Sequence, residues 1–387
     1  MKFKKILISF LILGIFLGSF FGGFFLGYQK KQCKICKPEE IDFSLFWEAY
    51  HKLKENLYDK TKIDPQKILY GAISGMAKSS EDPYTEFFDP KKAKIFEEDV
   101  RGYFEGVGME IGIKKGKLQV IAPLEGTPAQ RAGIKPGDLI LKIDDKDTTD
   151  MSVEEAAMLI RGEKGTKVKL TIFREDWKEP KEIELVRDII QIPSLKFEKK
   201  DGIFYVKIYQ FSEKLINDFR DVVSEILREK NKEKKIILDL RNNPGGILDV
   251  AVNVAGYFLE KGKVVVVEDY GNGKKIEHKS SGPAILKDAK VIVLINEGSA
   301  SASEILASAL RENLGTILIG TKTFGKGSVQ KMERLSDGSY LKITVAKWLT
   351  PKGNQISDIG VSPDIEVKEK DEEDLPLKKA IEILKIS

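Results

Sequence analysis

Beyond Leu185 three short apolar runs, KIILDL, VIVLI and TILIG, stand among three stretches with helical periodicity, FSEKLINDFRDVVSEILREK, ILDVAVNVAGYFLE and ASEILASALREN. Runs this short suit strands buried on both faces. Strands that alternate with helices build a largely parallel sheet, because the path between parallel strands must cross over a sheet face. The expectation is an α/β core over residues 183–387, ending in a tail. With 387 residues and 42% apolar content the chain can bury further cores, and two or three domains are expected.

The N-terminal end adds a second constraint. MKFKK is followed by ILISFLILGIFLGSFFGGFFLG, an apolar run from Ile6 to Gly27 with no ionisable side chain. As a helix it would reach about 33 Å, against a hydrocarbon core of about 30 Å. No small-residue cleavage site precedes Gln29, so residues 1–30 read as a transmembrane anchor, with a cleaved secretory signal as the alternative. Lys2, Lys4 and Lys5 are balanced by Lys30, Lys31, Lys34 and Lys37, so charge does not orient the span. Cys33 and Cys36 follow in CKIC. Neither of the two histidines lies nearby in sequence, so the pair reads as a local disulfide or a juxtamembrane feature and not as half a zinc site. Elsewhere 64 basic and 60 acidic residues are interspersed, which leaves no basic face for nucleic acid.

Residues 31–98 read as a linker and a helical segment. Phe43, Phe46, Trp47, Tyr50, Leu53 and Leu57 recur at three- and four-residue spacing, predicting an amphipathic helix whose stripe packs in a core. PQKILYGAISGMAKS predicts a second helix, and EDPYTEFFDP breaks the pattern with Pro83 and Pro90. From Gly102 the chain changes to short strands and glycine turns, a β-rich module over residues 99–182. PAQRAGIKPGDLILKIDD and the loop Gly106, Val107, Gly108 and Met109 resemble a PDZ domain. The resemblance implies that the loop grips the carboxylate at a peptide's C-terminus while an adjacent strand pairs with the peptide.

Two segments bear on chemistry. In NEGSASASEILASALREN the strand VIVLI runs through a small-residue turn into a helix. A serine at such a junction has backbone N–H donors and a positive dipole end at hand, which suits a nucleophile; the same residues also suit a helix cap. Histidine is scarce as a partner: His51 lies on the first helix and His278 in KKIEHKSSG. A lysine can serve as base if burial lowers its pKa from about 10.4, so that a useful fraction is neutral. In GTKTFGKGS, Lys326 fits the lysine position of a phosphate-binding loop, but Gly327 stands where Ser or Thr should follow, and no helix opens there. Its flanking glycines suit a backbone that approaches closely and delivers one lysine into a site.

Together GSASASEI, TFGKGSVQ and DLRNNPGG, with DPYTEFF, the PDZ module and TPKGNQISDIGVSPD, resemble the carboxyl-terminal processing peptidases of the tail-specific protease family. The resemblance runs from about Phe46 to the C-terminus. It implies Ser301 as nucleophile, Lys326 as general base and Gln330 as the residue that helps orient the lysine. Ala302 and Gly246 would supply the oxyanion hole, with Gly245 the less favoured choice. Ser299 and Ser303 take structural roles, and Glu312 stands where some relatives have Asp. No metal or organic cofactor is implied. The implied partners are protein or peptide substrates with free apolar C-termini, cleaved in an extracytoplasmic compartment, and a homo-oligomer is left open. Arg161, at the start of a loop between helix and strand, is a candidate link between PDZ docking and the core. The rival readings are an inactive PDZ scaffold and an anchored esterase or amidase; retention of Ser301, Lys326 and Gln330 argues against the first. Absence of G-x-S-x-G around Ser301, together with the PDZ module, argues against the second.

Overall fold

A computed structural model describes residues 40–386 apart from 115, 231–232 and 369–372. The expected membrane helix at residues 6–27 and the Cys33–Cys36 pair lie outside the described residues. Among the described residues no helix is long and apolar enough to cross a membrane.

The chain divides into two units between Ile68 and Leu69. In the first, the helix Ser44–Asn56 forms as the spacing predicts, but its stripe is not packed in a core. None of its residues is buried, and Leu45 and Trp47 are 72% and 55% exposed. The rings instead meet edge to edge along the helix, Phe46 with Trp47 at 5.1 Å and Trp47 with Tyr50 at 6.2 Å. Periodicity fixes which face of a helix is apolar; it does not supply the element that covers it.

In the second unit the three apolar runs become the adjacent parallel strands Lys235–Asp239, Lys290–Ile295 and Ile317–Gly320 of a six-stranded sheet. Ile203–Ile208 joins them in parallel on one side and Ile365–Glu366 on the other, with Leu195–Lys200 antiparallel at the edge. Both faces are buried, which is why the runs are continuously apolar. On one face Ile236, Leu238, Val293 and Leu318 pack against the helices Glu213–Arg228, Leu248–Gly256 and Ala302–Leu314. On the other Ile237, Ile292, Leu294 and Ile319 pack against Ala380 and Leu384 of the C-terminal helix Leu375–Ile386. The helix read in ILDVAVNVAGYFLE stops at Gly256, short of the end of that stretch.

A second, antiparallel sheet was not foreseen. Its strand Tyr340–Leu349 pairs with Ser328–Arg334, with Glu86–Phe88 and with Val264–Asp269. The segment DPYTEFF is thereby built into the sheet that follows the lysine.

The β-rich module has its own core, including Val120, Ile140, Val168, Leu170 and Ile172. Its sheet begins at the edge strand Met109–Lys114, whose one strand partner among the described residues is Lys117–Pro123. The helix Val153–Ile160 starts at a capping box in which Ser152 and Glu155 each accept the other's backbone N–H. The chain enters and leaves the module through a two-stranded antiparallel ribbon, Tyr103–Gly106 against Asp188–Gln191.

Candidate active site

Three adjacent parallel strands end on one edge of the core sheet, and each is followed by one of the loops that the motifs pointed to. Asp239 leads into RNNPGG, Ile295 into NEGSAS, and Gly320 into TKTFGKG. Such an edge is where α/β sheets gather functional loops.

Hydrogen bonds join the first two loops. Asn242 and Asn296 are paired, the Asn242 N–H donating to Asn296 Oδ1 at 2.8 Å and Asn296 Nδ2 to Asn242 Oδ1 at 2.9 Å. The Ala300 N–H and Ser303 Oγ both donate to the Asn243 carbonyl, and Ser299 Oγ donates to the Leu240 carbonyl. Ser299 and Ser303 therefore hold the turn. Ser301, between them, caps the helix Ala302–Leu314 with φ 54° and ψ −116°, a conformation that side-chain-bearing residues rarely adopt. The arrangement sets the half-buried serine at the positive end of the helix.

The lysine loop is tied to the same turn through Glu304, which the sequence reading did not single out. The Ser301 N–H donates to Glu304 Oε2 at 2.8 Å, while the Gly325 N–H and Thr323 Oγ1 donate to Oε1 at 2.7 and 2.5 Å. Glu304 is fully buried, and burial raises its carboxyl above the usual range although these bonds act the other way. Gly327 lies against a neighbouring chain segment, where a Cβ would come within 2.0 Å of the Ser357 nitrogen. Glycine permits the contact that the flanking residues predicted.

Lys326 is half-buried. Burial foremost, and the Lys342 ammonium next, hold its amine below the ordinary lysine range, with Glu304 pulling the other way. Its Nζ lies 5.5 Å from the ring centroid of Tyr84. No hydrogen bond joins Lys326 Nζ to Ser301 Oγ among the described residues; such contacts often tighten only once substrate is bound. Gln330 does not bond to Lys326. Its Nε2 donates to Ser328 Oγ at 2.7 Å and lies 3.5 Å from Thr344 Oγ1. Glu312 accepts from the Lys352 N–H and Asn354 Nδ2, away from these groups.

The expected oxyanion donors have the required freedom. Gly245, at φ 100°, packs so closely on the turn that a Cβ would come 2.7 Å from Ser301 Cβ, and its N–H is engaged by Asn243 Oδ1. The N–H groups of Gly246 and Ala302 carry no hydrogen bond among the described residues. Behind this loop lies an ionic network, buried at Asp239 and Arg241 and exposed at Asp374, that also escaped the sequence reading. Asp239 binds Tyr205 Oη and Arg241, and Arg241 forms a two-point pair with Asp374 at 2.7 and 2.8 Å.

In the β-rich module a cavity of about 330 Å³ lies between the edge strand Met109–Lys114 and the helix Val153–Ile160. Val107, Gly108, Met109, Ile111 and Ile160 line it; Gly106 lies instead at the end of the ribbon, opposite Asp188. The N–H groups of Val107 and Gly108 carry no hydrogen bond among the described residues. Arg161 also lines the cavity, stacks over Phe104 at 4.4 Å, and pairs with Asp99 at 2.9 Å.

Comparison with known proteins gives a consistent result. The model of Peptidase family S41 matches residues 202–367, and that of a PDZ domain residues 119–174. The carboxy-terminal processing protease CtpA of Bacillus subtilis is 40% identical over 333 residues, covering 85% of this chain and 69% of that protein. A probable CtpA-like serine protease of Staphylococcus haemolyticus is 37% identical over 343 residues, covering 88% of this chain and 68% of that protein. Among solved structures, the photosystem II D1 C-terminal processing protease matches with a TM-score of 0.53 and 28% identity, over 84% of this chain and 92% of that one.

Proposed function

The chain belongs to peptidase family S41, and on that basis we propose how it cuts: Ser301 attacks the peptide carbonyl, Lys326 moves the proton, and the Ala302 and Gly246 N–H groups bind the oxyanion. It is a C-terminal processing serine protease with a PDZ domain. The observation that carries the residue assignment is Glu304, whose two carboxylate oxygens hold the Ser301 turn and the lysine loop together.

Neutral Lys326 takes the proton of Ser301 Oγ as that oxygen bonds to the carbonyl carbon. The negative charge that develops on the carbonyl oxygen is met by the Ala302 N–H at the helix start and by the Gly246 N–H of the neighbouring loop. The C–N bond then breaks as the lysine hands its proton to the leaving amine. Water repeats the cycle on the seryl ester: its proton goes to Lys326 and its oxygen to carbon, then the C–Oγ bond breaks as the lysine returns the proton to Ser301 Oγ. Gln330, bonded to Ser328 Oγ two residues beyond the lysine, is assigned to steadying the segment that carries it.

The PDZ groove takes the substrate's terminal carboxylate on the Val107 and Gly108 N–H groups and its last apolar side chain among Met109, Ile111 and Ile160. Residues 6–27 anchor the chain with the catalytic body extracytoplasmic; a removed signal would instead leave a mature N-terminus beyond that run, which N-terminal sequencing distinguishes.

The test uses the full chain in detergent micelles and two peptides with the same apolar C-terminal sequence, one free and one amidated. The free peptide is expected to be cleaved with kcat/KM at least about tenfold higher, the value of a charge-assisted hydrogen bond of about 1.5–3 kcal/mol. Equal rates would remove the carboxylate-docking assignment. If Arg161→Ala left both the basal rate and the preference for the free peptide intact, a role for Arg161 in linking groove to core would be dropped.

A further inference from the structure

Lys326 has an aromatic neighbour that the mechanism above does not use. Tyr84 lies in the DPYTEFF segment, 242 residues earlier in the chain. Its position follows from the antiparallel sheet. Strand Tyr340–Leu349 carries Ser328–Arg334 on one edge and Glu86–Phe88 on the other. Tyr84 and Lys326 each sit two residues before their strand begins, so the same central strand brings ring and amine together.

The turn that presents the ring is fixed at several points. Asp82 accepts from the Tyr84 N–H at 3.2 Å and from Thr85 Oγ1 at 2.6 Å, and Thr85 Oγ1 accepts from the Thr344 N–H at 3.2 Å. Glu86 binds the neighbouring Lys342 at 3.3 Å, and Lys342 Nζ lies 4.9 Å from the ring centroid of Phe88. Among the described residues Lys326 has no salt-bridge partner, and Tyr84 is the one ring that its ammonium faces.

We propose that Tyr84 is a positioning residue for the hydrolysis, its ring holding the Lys326 amine in place and walling it off from water. The inference rests on the reading of Lys326 as general base.

The ring acts on the amine in two opposed ways. Its face attracts the ammonium form. Its bulk keeps water from that form, which disfavours the charged amine. Burial is the leading cause of the amine's lowered basicity, so removing the ring that covers it is expected to raise that basicity. The other charged groups acting here stay when the ring is removed: Lys342 from the central strand and Glu304 from the helix Ala302–Leu314 act on Lys326, and Asp358, Glu304 and Asp82 act on Tyr84.

The experiment compares wild type, Tyr84→Ala and Tyr84→Phe as full chains in detergent micelles. One readout is kcat/KM against pH. The other is independent of activity: competitive acylation of lysines across the same pH range, resolved by peptide mass spectrometry, which reports the neutral fraction of Lys326. Tyr84→Ala is expected to lose about tenfold in both Lys326 acylation and kcat/KM at neutral pH, and to recover both as pH rises. Tyr84→Phe, which keeps the ring, is expected to keep the wild-type titration. A uniform loss of activity in Tyr84→Ala with unchanged Lys326 acylation would overturn the proposal, as would a rise in either readout. If acylation of Lys326 moves but the rate profile does not follow it, the base assignment fails and the contact with Tyr84 stands.

Discussion

Lys326→Ala is expected to lower kcat/KM by at least about 10³-fold at every pH, and Ser301→Ala by as much, with both chains still folded. A surface lysine carries no such requirement. Here the requirement follows from the absence of any other base in the assigned mechanism and from the pressure that burial puts on this amine. In the wild type the rate should therefore rise with an apparent pKa well below the ordinary lysine value of about 10.4. The same amine bears on stability. Its folded-state pKa is depressed, so between the folded and unfolded values the unfolded chain binds more protons, and stability increases as pH rises through that window. Below the window the cost of burying the ammonium is fully present. Lys326→Met, which keeps the stem and removes the charge, should therefore raise the denaturant midpoint at neutral pH while abolishing activity, with the gain shrinking as pH rises. A midpoint that fell, or a gain independent of pH, would mean that the amine is well solvated in the folded chain.

Glu304→Ala has the second-largest expected effect, and it should reduce both activity and stability. The substitution leaves the Ser301 N–H, the Gly325 N–H and the Thr323 hydroxyl without their acceptor in a buried place. Buried donors left unpaired cost about 1–3 kcal/mol each, and they relax together, so a loss of about 3 kcal/mol is expected. Activity should fall by about 10²-fold or more, because the serine turn and the lysine loop lose the group that sets their distance. Glu304→Gln keeps one acceptor oxygen but turns an NH₂ toward a backbone donor, and it should fall between the two. Denaturant unfolding beside single-turnover cleavage separates the effects. If Glu304→Ala proved as stable and active as wild type, the carboxylate would not be the clamp between the two loops.

The sheet and the site differ in how much of them could be read in advance. KIILDL, VIVLI and TILIG betray themselves because a strand buried on both faces has no polar positions to interrupt it. The loops that carry Ser301 and Lys326 stood out for a related reason, each following one of those runs, and the resemblance picked out the two residues within them. Glu304 was not, because a glutamate three residues into a helix reads as an ordinary capping partner, and its second oxygen reaches residues 323 and 325 only once two parallel strands lie side by side. Tyr84 and the Asp239–Arg241–Asp374 network were hidden by the same cause. Their partners lie far away in sequence, and no local pattern records a pairing that the sheet order creates. The aromatic stripe on Ser44–Asn56 was legible as a face, and its exposure was not, since exposure is a property of what lies opposite.

The ribbon Tyr103–Gly106 against Asp188–Gln191 has a consequence for how such chains arise. It brings the two ends of the inserted module to the spacing of paired strands, about 4.8 Å, so the core meets the insertion as though it were a hairpin. Closing a longer excursion costs only about 0.6 kcal/mol for each doubling of its length. A whole recognition module at this junction therefore weighs little on the peptidase beneath it. The core sheet can carry the PDZ module at this junction without being rebuilt around it.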